Sequence, residues 1–260
     1  QRLADCYEKT GNLQMAKNTY TNLIRLGKIP ADVYYRYAIL CMKTDDKDKA
    51  ETIFKKVIQL DPKNPYAHKD LGVVYLSQRL FDYAKEEFET AYKMAPEDSA
   101  VVFEMANFYH AMNDFQKAKE LYEKAFKLAP EVMDIAVFRA INYLRLNEID
   151  TALELFLDAM KKYPSQHIIL FNIGLIYYQK GNFDAAKEFL SDAYSLYQDP
   201  ETMNALAMTF YELKEYENSK NLTHKLIEQF PDNINLLLLL AKSYIELGDA
   251  QNSVRYLEKI

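Results

Sequence analysis

Apolar residues recur along this chain in short runs with helical spacing. Leu71, Val74 and Tyr75 make one such run, and Phe81, Ala84, Phe88 and Ala91 make the next. Steps of three and four residues put each set on one face of a helix. Between paired runs stands a residue that accepts left-handed backbone, such as Gly11, Asn113, Asn147, Gly181 or Gly248. Directly after the turn come side chains able to accept from free helix amides: Asn12, Asp46, Asp114, Asn182 and Asp249. Asp48, Asp82, Asp150 and Asp184 follow in the first turn, where the positive end of the helix dipole favours them. The pattern predicts pairs of short helices joined by tight turns.

The pairs repeat. Pro62, Pro96, Pro130 and Pro164 are spaced 34 residues apart, and internal periods of this size mark repeat architectures. In the same register stand small residues (Ala38, Gly72, Ala106, Ala140), then Cys41, Tyr75, Tyr109 and Tyr143, then Ala50, Ala84, Ala118 and Ala152. The bulky rungs Phe54, Phe88, Tyr122 and Phe156 and the rungs Val57, Ala91, Ala125 and Ala159 complete the ladder. It continues upstream through Ala4, Tyr7, Ala16, Tyr20 and Leu23. Downstream it runs through Gly174, Tyr177, Ala186, Leu190 and Ala193, then Ala207, Phe210, Ser219, Thr223 and Leu226, and finally Ala241, Tyr244, Ser253, Leu257 and Ile260. The step from Gly174 to Ala207 is 33, which places a one-residue loss near Gln198 to Pro200. The expected repeats are 1–30 (truncated), 31–64, 65–98, 99–132, 133–166, 167–199, 200–233 and 234–260 (truncated). Both chain ends are expected to break inside helices. Small rungs let two helices approach while bulky rungs fill the space beside them. No pair is long enough to bury its own apolar face, so each must lean on the next. With Ser219 and Thr223 on its rungs, one repeat is expected to pack more loosely than the others.

Composition narrows the function. Of 260 residues, 49% are hydrophobic, enough to build a core. A net charge of −6 with interspersed signs argues against a dedicated nucleic-acid binder. The longest apolar stretch, Leu236 to Ala241, is too short to cross a bilayer. Cys6 and Cys41 support neither a disulfide framework nor a thiolate metal site, and Cys41 stands on a core rung. The four histidines, 68, 110, 167 and 224, have no metal-ligand spacing. His68 stands on a packing rung, and His110 on the opposite surface, where a ligand could touch it. No glycine-rich phosphate loop or nucleophile motif is present, so no catalytic residue, cofactor or metal is expected.

The ladder resembles the tetratricopeptide repeat family over essentially the whole chain. The family's aromatic near the start of each first helix is kept at Tyr34 but replaced at His68, Val102, Ala136, Leu170, Met203 and Leu237. The resemblance implies an all-α fold, a right-handed superhelical solenoid of antiparallel helix pairs, with a concave groove lined by first helices. It implies binding of peptides or protein segments by a scaffold, adaptor or co-chaperone-like module. Some members clamp a terminal carboxylate with Lys and Asn from successive repeats. Lys69 and Asn107 match two of those positions, but Val73, Asp134 and Phe138 do not, and an Asp there repels an acidic tail.

Helical geometry then names the groove-facing positions, six and three before the small residue and one and four after it. The expected partner-binding residues are Tyr35, Tyr66, Lys69, Phe103, Asn107, His110, Val137, Ile141, Phe171, Leu175, Tyr178, Asn204, Met208 and Tyr211. This wall is mostly apolar and aromatic, as binding surfaces tend to be. Asn107, Asn204 and the tyrosine hydroxyls are expected to fix the backbone of an amphipathic or apolar-rich segment. The leading expectation is a non-catalytic protein-interaction scaffold. Its alternatives are a regulatory or substrate-recruiting arm of a larger enzyme, and a module that self-assembles through its end repeats. Nothing in the residues fixes a compartment, and the cytoplasm is the default expectation.

Overall fold

The computed structural model describes residues 2–27 and 29–260, and every regular element among them is a helix. The chain divides into two units, Gln1–Ile135 and Ala136–Ile260. The first holds α1 (Arg2–Lys9), α2 (Leu13–Arg25), α3 (Ala31–Lys43), α4 (Lys47–Leu60), α5 (Pro65–Ser77), α6 (Phe81–Met94), α7 (Ser99–Ala111) and α8 (Phe115–Leu128). The division falls within α9 (Met133–Arg145). The second unit continues with α10 (Ile149–Lys162), α11 (His167–Gln179), α12 (Phe183–Leu196), α13 (Pro200–Glu212), α14 (Tyr216–Gln229), α15 (Ile234–Glu246) and α16 (Ala250–Leu257).

In the first unit α1 packs on α2, α3 on α4, α5 on α6 and α7 on α8, and α2, α4 and α6 pack again on the helix that follows each. The second unit repeats this scheme from α10 to α16, with α11 also touching α13. The turns explain the sharp reversals. Gly11, Asn113, Asn147, Gly181 and Gly248 take positive φ as expected, and so do Asp45, Arg79 and Lys214, at 54°, 61° and 62°. All eight stand seven residues after a small rung. Asn12, Asp114, Asn182 and Asp249 cap the following helices by accepting a backbone N–H. Asp46 does not. Its carboxylate instead accepts from Lys17 Nζ at 2.8 Å, joining α2 to the next turn.

First helices carry their own caps. The side chains of Asn64, Asp98, Asp199 and Asn233 each accept two amides at the starts of α5, α7, α13 and α15. At the other end, Pro62, Pro96, Pro130 and Pro164 each stand directly after the C-cap residue of α4, α6, α8 and α10, where proline cannot continue the helix.

The ladder is the core. Ala50, Ala84, Ala118, Ala152 and Ala186 are fully buried, as are the large rungs Tyr20, Phe54, Tyr122, Phe156 and Leu190. Burying each such large side chain contributes about 1.5–3 kcal/mol relative to exposure. A methyl group added at Gly174 would sit 2.6 Å from Leu190 Cγ, so glycine here is what lets α12 approach α11. Ser219 and Thr223, on the repeat expected to be loose, are fully buried. The Thr223 hydroxyl donates to Ser219 O at 2.7 Å, and Ser243 donates to Ser219 Oγ. Hydrogen bonding, not looseness, accommodates these polar rungs. Cys41 is buried, and burial pushes its thiol up to about 11. His68 is also buried, with Nδ1 2.6 Å from Glu87 Oε2 across the α5–α6 pair, as its packing rung suggests.

Candidate functional site

In the first unit, α3, α5 and α7 carry Tyr35, Tyr66, Lys69, Phe103, Asn107 and His110. Most of these already have partners. The Tyr35 hydroxyl donates to Asp70 Oδ2 and Lys69 Nζ to Asp70 Oδ1, both at 2.5 Å. Asp70 is only 5% exposed, and a buried carboxylate needs such partners. Burial, followed by the nearby Asp70 charge, raises the Tyr35 phenol far above its ordinary range. Tyr66 donates to Asp98 Oδ2 at 2.6 Å, tying α5 to the cap of α7. Asn107 is held at both ends of its amide, accepting from Tyr122 OH at 2.7 Å and donating to Glu104 Oε2 at 3.1 Å. Phe103 packs its ring beside Tyr122, and His110 meets Phe115 edge-on at 5.2 Å.

This changes the expectation for the row. Lys69 is turned to a neighbouring carboxylate, which further removes it from the clamp role. Asn107 acts as an internal strut. The row is a hydrogen-bonded wall more than a greasy one.

The second unit differs. Val137 is 2% exposed and offers no surface to a partner, which corrects its place among the groove residues. At the equivalent position stand the longer Tyr35, Lys69, Phe103 and Phe171, which reach where a valine stops short. Ile141 is half-buried on α9.

Along α11, α13 and α15 the remaining expected residues come together. Phe171, Leu175, Tyr178, Glu201, Asn204, Ala205 and Met208 bound a depression of about 320 Å³. A second, of about 330 Å³, is bounded by Tyr178, Asn204, Met208, Tyr211, Glu212, Asn235, Leu238, Leu239 and Lys242. The two share Tyr178, Asn204 and Met208, so they adjoin as a trough across three first helices. Asn204 sets its Nδ2 3.8 Å from Met208 Sδ, a weak contact that leaves most of its hydrogen-bonding capacity unspent.

Aromatic stacking stiffens the trough. The His167 ring lies parallel to Phe171, with centroids 5.9 Å apart. Its Nε2 is 2.8 Å from Thr202 Oγ1 and 2.9 Å from Asp199 Oδ2, which joins α11 to the start of α13. Phe183 meets Tyr178 edge-on at 5.4 Å, and Tyr216 meets Tyr211 in the same way. Phe183 and Tyr216 were not among the expected residues. Their signal lies in the sequence: Phe81, Phe115, Phe183 and Tyr216 all stand nine residues after a small rung, at the start of a second helix. Burial, then Glu212, raises the Tyr178 phenol; burial, then Glu246 and Glu212, raises that of Tyr211. Both hydroxyls therefore remain donors at neutral pH.

Among the described residues, no group of three or more His, Cys, Asp or Glu side chains is placed to hold a metal ion. No helix among them is long and apolar enough to cross a membrane.

Comparison with family models matches residues 1–129 to the middle TPR-like domain of cilia and flagella-associated protein 70. Residues 139–201, 205–233 and 236–260 match tetratricopeptide repeat models. A search of curated proteins finds no match. Among solved structures, the chain is similar to the APC/C hetero-tetramer Cut9–Hcn1, with a TM-score of 0.72, 16% identity and coverage of 95% of this chain and 49% of that one. It thus spans about half the length of that chain. The pilF protein of Pseudomonas aeruginosa gives a TM-score of 0.74 at 15% identity, covering 82% of this chain and 97% of its own. Yeast Tom70 gives 0.62 at 18% identity, covering 96% and 54%. At these identities the likeness is one of fold, an all-α solenoid of antiparallel helix pairs. With a helix-pair ladder kept in register from Ala4 to Ile260 and repeat models matching along it, the chain belongs to the tetratricopeptide repeat family.

Proposed function

We propose that this protein is a non-catalytic interaction scaffold that holds a peptide or protein segment in the trough of α11, α13 and α15. The observation that carries the reading is the pair of adjoining depressions sharing Tyr178, Asn204 and Met208. An elongated concavity with apolar walls and a few polar groups suits an extended or helical segment. Phe171, Leu175, Met208 and Leu238 provide the apolar contact. Asn204 and the hydroxyls of Tyr178 and Tyr211 bond the segment's backbone. Aromatic residues stacked on fixed neighbours lose little entropy on binding, and they commonly dominate interface energetics.

The test is selection of binding peptides from a displayed random library on the 260-residue chain, followed by affinity measurements on variants. Phe171→Ala and Tyr178→Ala are expected to weaken selected peptides by roughly tenfold or more each, the cost of a truncated anchor. Tyr66→Phe, on α5, is expected to change affinity less than twofold. Selected peptides indifferent to both α11 variants, with circular dichroism showing intact helices, would overturn the reading.

A further inference from the structure

The inner faces of the two units treat their carboxylates differently. In the first unit the acids are matched from within: Asp70 by Tyr35 and Lys69, Asp98 by Tyr66, and Glu104 by Asn107. In the second unit Glu201 and Glu212 border the trough. Both are solvent-exposed, and among the described residues neither forms an ion pair. Lys242 is the one cation bordering either depression among the described residues. The result is an apolar floor inside a rim that carries more negative than positive charge.

We propose that the trough of the second unit selects a segment with Lys or Arg beside its apolar anchors. This rests on the trough being a peptide-binding surface at all. Apolar side chains of the segment enter between Phe171, Met208 and Leu238, while its basic side chains reach the carboxylates of Glu201 and Glu212. Rim charges act mainly on specificity and association rate, since they stay hydrated and are screened by salt. An acidic segment is rejected by the same carboxylates. The preference therefore runs opposite to that of a clamp for acidic tails.

Three short synthetic peptides with identical Leu and Phe positions test this, with Lys, Gln or Glu filling the remaining sites. Fluorescence anisotropy on the 260-residue chain reads their affinities. At low salt the Lys peptide is expected to bind roughly fivefold tighter than the Gln peptide, with the Glu peptide weakest, as two exposed ion pairs together allow. That advantage falls below twofold in a variant combining Glu201→Gln and Glu212→Gln, and it shrinks as salt rises. Phe171→Ala weakens the Lys and Gln peptides alike. Equal binding of Lys and Gln peptides, both still sensitive to Phe171→Ala, overturns the charge preference and leaves the trough standing. Binding insensitive to Phe171→Ala, or no binding by any peptide, removes the trough reading and the preference with it.

Discussion

Gly174 shows how much of this fold is decided by single atoms. A Cβ at this position would come within 2.6 Å of Leu190 Cγ and 3.2 Å of Leu190 N, and the backbone amide cannot step aside as a side-chain end can. Alanine brings a helix-propensity gain of about 1 kcal/mol, but overpacking of this kind costs about 1–3 kcal/mol. Gly174→Ala is therefore expected to lower stability in a urea titration even though alanine is the better helix former. A midpoint equal to or above the parent's would contradict the close approach of α12. Asp199 gives a second residue-scale expectation. Burial pushes its carboxyl up, but the hydroxyl and amide of Thr202 and the charge of His167 outweigh this and hold it below the usual value. A depressed folded value means stability that is full above the unfolded value of about 3.9 and is lost as pH falls through the folded one. Asp199→Asn keeps a capping oxygen without the charge. Its deficit against the parent should be largest near neutral pH and should narrow under acid. A deficit that stays constant with pH would sink this account. The rungs around these residues were legible in the sequence because packing repeats every 34 residues. The partners of Tyr35 and Tyr66 were not. They lie 35 and 32 residues away, one repeat further on, where no within-repeat pattern points.

Each helical pair closes through one left-handed residue, and the eight positions differ in how readily they accept that conformation. Glycine and asparagine announced five of them. Asp45, Arg79 and Lys214 did not announce themselves, and at Arg79 and Lys214 the conformation is imposed by the pair they join and not by their own preference. Relief of this cost predicts that Lys214→Gly stabilises the protein, by about 0.5–1 kcal/mol once the extra freedom of the unfolded chain is deducted. Thermal denaturation of the single variant checks it, and a lower midpoint would count against the strain. Proline stops and polar caps were plain in the sequence. Asp46 was not, because its oxygen is claimed by Lys17 from the preceding pair.

At the scale of the molecule, a solenoid is a chain of neighbours with stability shared mainly between adjacent pairs. Leu190→Ala removes a fully buried rung and should cost about 2–5 kcal/mol. Hydrogen exchange is expected to show lost protection concentrated in α11, α12 and α13, with α3 and α4 much less affected. Uniform loss along the chain would mean a single cooperative block instead. The fold and its family could be read in advance because one packing solution is written eight times over. The trough could be read only in part. Periodicity tells which side chains face inward, whereas charge matching on that face depends on what the next pair supplies. The bond from Tyr35 to Asp70 carries a consequence for anyone shuffling such modules. A segment holding Asp70, grafted behind a different neighbour, would arrive with a buried anion and no phenol to greet it. The order of these units is thus part of the blueprint, and a consensus array built by swapping them would have to mend that seam first.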